Sequence, residues 1–128
     1  MVLVLIGIVA ALALPGYRQQ LFRVHRTEAM IALLELQNAE EKYFLRHNVY
    51  AGDISAAPPT GLGLATASSS NKYLLSISVA SDGQSFIATA TPTPEGGQAA
   101  DRDCLAFSID ARGRRAVSGT RDTRYCWK

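Results

Sequence analysis

Cysteine and histidine are scarce, with two of each in 128 residues. Two cysteines exclude a dense disulfide scaffold and a zinc site built from four thiolates. His25 and His47 fall on one predicted helix about 33 Å apart, too far to share a metal. Charged residues make up only 19%, and thirteen Lys+Arg against eleven Asp+Glu leave a net charge of +2. That balance does not by itself point to nucleic acid or an acidic ligand. There is no G-x-S-x-G, no H-E-x-x-H and no glycine-rich phosphate loop. Glu40 and Glu41 are consecutive on a helix and point apart, so they form no acid/base pair. Cys104 has no identifiable base beside it. No catalytic, cofactor-binding or metal-ligating residue is nominated, and the chain is expected not to be an enzyme. What is abundant is apolar surface: 48% of residues are hydrophobic, too many for a disordered chain. The length suits one small domain.

The apolar residues are unevenly spread. Residues 1–14 contain no polar side chain. As a helix they span about 21 Å, against about 30 Å for a bilayer core. A signal peptide would need a basic segment ahead of the run, and Leu14-Pro15-Gly16 is a poor cleavage site. A helix apolar on every side must be surrounded on every side, which a domain this small can hardly do. The segment is therefore expected to sit in lipid or against other copies of itself, with Val4, Ile8, Leu12 and Leu14 buried there. Met1 opens abruptly inside the apolar run, so the chain is expected to begin part-way through its helix. Pro15 removes a backbone hydrogen bond and Gly7 weakens the same stretch, predicting a kink or local melting.

From Tyr17 to about His47 there is no Pro or Gly, and helix formers are dense. Ala29, Leu33, Leu36, Tyr43 and Phe44 share one helical face, with Met30 at its edge. Glu40 interrupts that face and is expected to reach its rim. One helix of about 70 Å results, with its second half packed on something flat. Arg18, Arg23 and Arg26 precede the stripe. The positive-inside rule would put them in the cytoplasm, whereas the cysteines argue for the opposite side.

Residues 48–72 are rich in Pro, Gly and Ser and read as a connecting loop. Three alternating runs follow. Tyr73, Leu75, Ile77 and Val79 form one apolar face; Phe86, Ala88 and Ala90 form a second; Leu105, Phe107 and Ile109 form a third. Ser81-Asp82-Gly83 suits a hairpin turn, and Ala111-Arg112-Gly113 turns into a short fourth strand near 115–118. The sheet face needs a cover and the helix stripe needs a floor. Together they predict an α+β domain, a long N-terminal helix packed on a four-stranded antiparallel sheet.

Cys104 is read as starting the third strand, and Cys126 lies near the end of the chain. Pairing them closes a loop of roughly 23 residues and stabilises the fold by about 3.4 kcal/mol in the chain-entropy model. It would tie down a tail rich in Gly, Ser and Arg, and it implies a periplasmic or extracellular location. That tail carries Arg112, Arg114, Arg115, Arg121, Arg124 and Lys128 against a single Asp122. With Tyr125 and Trp127 for stacking, it could contact DNA; the alternative is an edge kept soluble by its arginines.

Taken together, Gly-Ile-Val-Ala-Ala-Leu-Ala-Leu-Pro-Gly-Tyr (7–17), the amphipathic stem, the sheet and the C-terminal Cys loop resemble a type IV pilin. His25-Arg26-Thr27-Glu28-Ala29, Glu40-Glu41-Lys42-Tyr43-Phe44, Ala88-Thr89-Ala90-Thr91-Pro92 and Cys126-Trp127-Lys128 resemble the PilE-type minor-pilin branch most. The family's basic leader, cleavage point and following glutamate do not precede Met1, so no processing site is named and they are expected to lie upstream. The resemblance implies residues 1–24 as membrane and assembly segment. It implies residues 25–128 as a head: helix 25–47, αβ-loop 48–72, sheet 73–118 and a disulfide-bounded region 104–126. It implies a bacterial inner-membrane protein with a periplasmic head, later part of a surface pilus serving assembly, twitching motility, adhesion or DNA uptake. Its implied partners are other minor pilins, the major pilin and the inner-membrane assembly machinery, with no cofactor. In family filaments the stretch matching Gly7 to Pro15 melts. A DNA-receptor minor pilin is the leading alternative and a type II secretion pseudopilin a further one. The latter often binds calcium, for which Asp101 and Asp103 are too few ligands.

Overall fold

The computed structural model describes residues 1–14 and 16–128, and the expectation placed on Pro15 lies outside the described residues. One helix, α1, runs Val2–His47. Asn48 ends it in the left-handed region (φ 59°), its N–H donating to the Phe44 carbonyl. Four strands follow: β1 (Tyr73–Val79), β2 (Phe86–Pro92), β3 (Phe107–Asp110) and β4 (Arg115–Val117). A single turn of helix, α2 (Thr123–Cys126), closes the chain.

The sheet is antiparallel in the order β1-β2-β3-β4. The register aligns Ile77 with Ala88, Ala88 with Ile109, and Ala90 with Phe107, so the alternating apolar residues fall on one face. Gly83 (φ 72°) and Gly113 (φ 79°) supply the left-handed positions that the two hairpin turns require. The third strand starts later than its pattern suggests. Leu105 takes a left-handed conformation (φ 52°) and Cys104 lies in the turn before the strand. The local backbone there follows the disulfide and the returning tail, not the sheet.

α1 lies mainly over β2 and β3. Ala29, Leu33 and Leu36 are fully buried against Ala88, Ala90, Phe107 and Ile109. The alanines of β2 leave room for the larger helix side chains, the complementarity close packing demands. The buried positions of α1 continue beyond the apolar stripe in both directions. Arg26, Ala29, Leu33, Leu36 and Glu40 are all buried, at alternating spacings of three and four. One expectation is corrected here. Glu40 does not reach the rim: it is 0% exposed. Arg26, which precedes the apolar stripe, is also buried, and it is paired.

Glu40 is buried because the chain folds back over the end of α1. Phe44 stacks on Tyr50 (4.6 Å between ring centroids), and Tyr50 meets Phe86 edge-on (4.8 Å). This brings the Ala51 N–H to 2.8 Å from Glu40 Oε2. Oε1 has no partner among the described residues. Burial pushes the carboxyl up to about 7; the Ala51 N–H opposes that shift and neighbouring Glu41 adds to it.

A carboxyl raised in the folded state binds its proton more tightly there than in the unfolded chain. Its contribution is fully present below the ordinary glutamate range and is lost as pH rises from about 4.5 to about 7. Glu40→Gln keeps an acceptor for Ala51 and removes the charge. Denaturant unfolding should find the variant more stable than wild type at pH 8, by up to about 3 kcal/mol, and close to it at pH 4.5. A difference independent of pH would contradict this account.

Candidate functional site

Two surfaces are built to meet something outside the chain. The first is the protruding half of α1. Val4 (66% exposed), Ile8, Leu12 (77%) and Leu14 are bare on every side of the helix. In water such a surface is unfavourable by roughly 25 cal/mol per Å². The helix is long and apolar enough to cross a membrane by length and composition. Helical geometry continues through Gly7, around which an added Cβ would meet nothing within 4 Å.

The second surface is the end of the chain. Cys104 and Cys126 form a disulfide, as the sequence suggested. The returning backbone is laid along the turn before β3: the N–H groups of Ser118, Gly119, Thr120 and Arg121 donate to the carbonyls of Ala106, Cys104, Arg102 and Asp103. The approach is so close that a Cβ on Gly119 would stand 2.3 Å from the Asp103 carbonyl oxygen. Only glycine fits there. Asp122 caps α2, its Oδ1 accepting from the Tyr125 N–H at 2.8 Å. These constraints hold a basic segment in one shape.

Arg112, Arg114, Arg115, Arg121, Arg124 and Lys128 are all exposed. The β3–β4 turn is organised by Asp110, whose carboxylate accepts from the N–H groups of Arg112 and Arg114 and from Arg114 Nε at 2.8 Å. Burial opposes ionisation of Asp110, but these donors outweigh it and hold its pKa below the ordinary value. Arg114 is thus partly neutralised. Arg112, Arg115, Arg121, Arg124 and Lys128 form no ion pair among the described residues.

Trp127 does not join them as a stacking platform, which corrects the sequence reading. It is 8% exposed and packs edge-on against Phe107, with ring centroids 5.7 Å apart. Its Nε1–H donates to the Ala116 carbonyl (3.1 Å). The Arg115 guanidinium covers the ring, 4.9 Å from its centroid. A tryptophan second from the chain end looks free in sequence; the disulfide at Cys126 pulls it under the sheet edge instead. Tyr125 is also occupied: Arg121 lies 4.7 Å, Lys128 5.6 Å and Arg26 5.8 Å from its ring centroid. Both rings therefore have cations laid against them.

Arg26 anchors the other side of this region. Its Nε donates to Asp101 Oδ2 at 2.6 Å and its terminal nitrogen to Oδ1, a two-point bond between buried groups. Asp101 first of all, against the opposing effect of burial, holds the guanidinium above its ordinary pKa. Gln98 Nε2 donates to the Phe22 carbonyl (3.3 Å), tying the same loop to α1. Asp101 is thus committed to an arginine. The signal for Arg26 was present in sequence, three residues before Ala29 on the buried face.

The arrangement offers an apolar rod and a tied-down C-terminal segment whose exposed arginines are hydrogen-bond donors. Comparison with known proteins places the chain in a family. A family model described as "Type IV minor pilin ComP, DNA uptake sequence receptor" matches residues 15–108. The solved structure of a type IV pilin from Shewanella oneidensis superposes with a TM-score of 0.54 at 22% identity, covering 73% of this chain and 89% of that one. At that identity the likeness is one of fold. No curated protein sequence matches the chain.

Proposed function

The chain belongs to the type IV minor pilin family described by the ComP model, and from that premise we propose that it is a pilus subunit whose head binds DNA. The observation that carries the DNA reading is the set of arginines on the β3–β4 turn, β4 and the tail, Arg112, Arg115, Arg121 and Arg124, exposed and without carboxylate partners among the described residues. The family match ends at residue 108, so this basic segment supports the reading by its own charge and not by the match. The described receptor function of the family is the second support.

The two surfaces divide the work. Before assembly, the apolar half of α1 holds the subunit in the inner membrane with the head on the periplasmic side. In the fibre, the same half packs among helices of the major pilin and other minor pilins, delivered by the assembly machinery. Lipid and fibre core are both apolar, so the transfer costs little hydrophobic free energy. The head remains outside and presents its basic face. With Trp127 buried and Arg121 and Lys128 lying against Tyr125, recognition rests on guanidinium contacts with phosphates, from β4 and the tail together. Fibre initiation, twitching and adhesion would follow from incorporation itself.

Two outcomes test the halves separately. Replacing Val4, Ile8 or Leu12 with Asp should abolish incorporation into pili, as seen by immunoblot of sheared fibres, while the head stays folded, because a buried unpaired charge is costly. Normal piliation carrying the variant subunit would count against the fibre role. For the head, DNA retention should fall steeply with salt, and Arg112→Gln with Arg124→Gln should make the log–log slope shallower by about 1 per arginine. Absence of retention at low salt would remove the DNA reading and leave the fibre role standing.

A further inference from the structure

We propose that the base of the head is a seat for the phosphates of anionic phospholipid, an inference that rests on the membrane-anchoring reading above. Two clefts flank α1 where it leaves the head. One, of about 330 Å³, lies between Arg23, Arg26 and Met30 of α1 and Tyr125, Cys126 and Lys128 of the tail. The other, of about 170 Å³, lies between Arg18, Phe22 and His25 of α1 and Lys72 and Gln98 of the loops. At about 100° per residue these two sets of α1 residues lie on different faces, so the clefts sit on either side of the helix. Each is lined by cations, and no Asp or Glu is among the lining residues. Arg26 is neutralised by Asp101 behind the cleft wall. Arg18, Arg23, Lys72 and Lys128 have no ion-pair partner among the described residues.

Their height on the helix selects the ligand. The apolar run ends at Leu14. With a rise of 1.5 Å per residue, Arg18 stands about 6 Å and Arg23 about 13 Å beyond it. The polar layer of a bilayer is about 5–8 Å thick on each side. Long basic side chains at these positions reach down to lipid phosphates while their stems stay on the helix. Lys72 and Lys128 are brought to the same level from loop and tail; Lys72 Nζ is oriented by the Gly96 carbonyl at 3.0 Å. A nucleic acid would have to enter between head and bilayer to use the clefts, whereas lipid phosphates are already there. The β3–β4 turn lies well above, its Gly113 beside Gln37, so Arg112 is out of reach of the lipid, whereas Arg121 of the tail lies on the same Tyr125 ring as Lys128. In the membrane the seat would hold the head upright against the bilayer, and extraction into the fibre would release it.

The test uses the full chain in neutral detergent, titrated with phosphatidylglycerol or phosphatidylcholine, with bound lipid counted by native mass spectrometry. Phosphatidylglycerol should bind at least about fivefold more tightly, and Arg23→Gln and Lys128→Gln should each weaken it about fivefold. Arg112→Gln, at the distant turn, should leave it unchanged. Equal retention of both lipids overturns the proposal. So does an Arg112→Gln loss equal to that of Arg23→Gln, which would make the attraction one of net charge alone. Displacement of the lipid by a short DNA duplex overturns it in favour of a nucleic-acid cleft. Failure of the anchoring itself looks different: the chain would not enter the micelle.

Discussion

Arg26 reaches Asp101 across 75 residues of sequence, and both side chains are removed from water. Neither could be buried alone, because an unpaired charge in that position is unfavourable by several kcal/mol. The pair therefore fixes where on α1 the head may sit. Below it α1 leaves the head, and from Leu14 down it is bare and apolar; above it the stripe of Ala29, Leu33 and Leu36 meets the sheet. Sliding the helix by one turn would keep much of the apolar contact but strand both charges. Apolar packing supplies most of the stabilisation, and the ion pair supplies the register. Glu40 performs a related task at the upper end with a backbone N–H as its partner, and it is the less well satisfied of the two.

Much of this was readable from residue spacing. The alternating runs Tyr73–Val79, Phe86–Ala90 and Phe107–Ile109 carry their register in their side chains, and two glycines carry the turns. The helix stripe was readable as far as its apolar members. Its charged ends were not, because spacing shows that a residue faces inward but not what awaits it there. Asp101 lies far along the chain, and the Ala51 N–H is a group every residue possesses. Trp127 misled for another reason. Among arginines it reads as a stacking ring, but the neighbouring disulfide at Cys126 and the contact with Phe107 decide its environment. Within the candidate site, the arginines were found by composition alone. That Tyr125 and Trp127 are already covered by Arg121, Lys128 and Arg115 required the fold.

The distribution of charge links fold to function. The chain is close to neutral, yet its tail is strongly basic and its anchor uncharged. The disulfide and the four hydrogen bonds of residues 118–121 turn that tail from a loose polycation into a shaped face. Ordering it in advance lowers the entropy cost of binding a polyanion. The same ordering places Lys128 beside Arg23 and so extends the basic surface to the base of the head. One covalent link thus serves stability and the geometry of both proposed contacts.

The central claim is that Arg26 and Asp101 act as one unit that sets the head on the helix. A double-mutant cycle on unfolding stability tests it directly, using Arg26→Met and Asp101→Leu. Each single change should cost about 3–5 kcal/mol, because each leaves a buried charge alone. The double change should cost far less than their sum, giving a coupling energy well above the roughly 0.5 kcal/mol scatter of independent sites. Additive losses would show that the two residues act separately and would contradict the account.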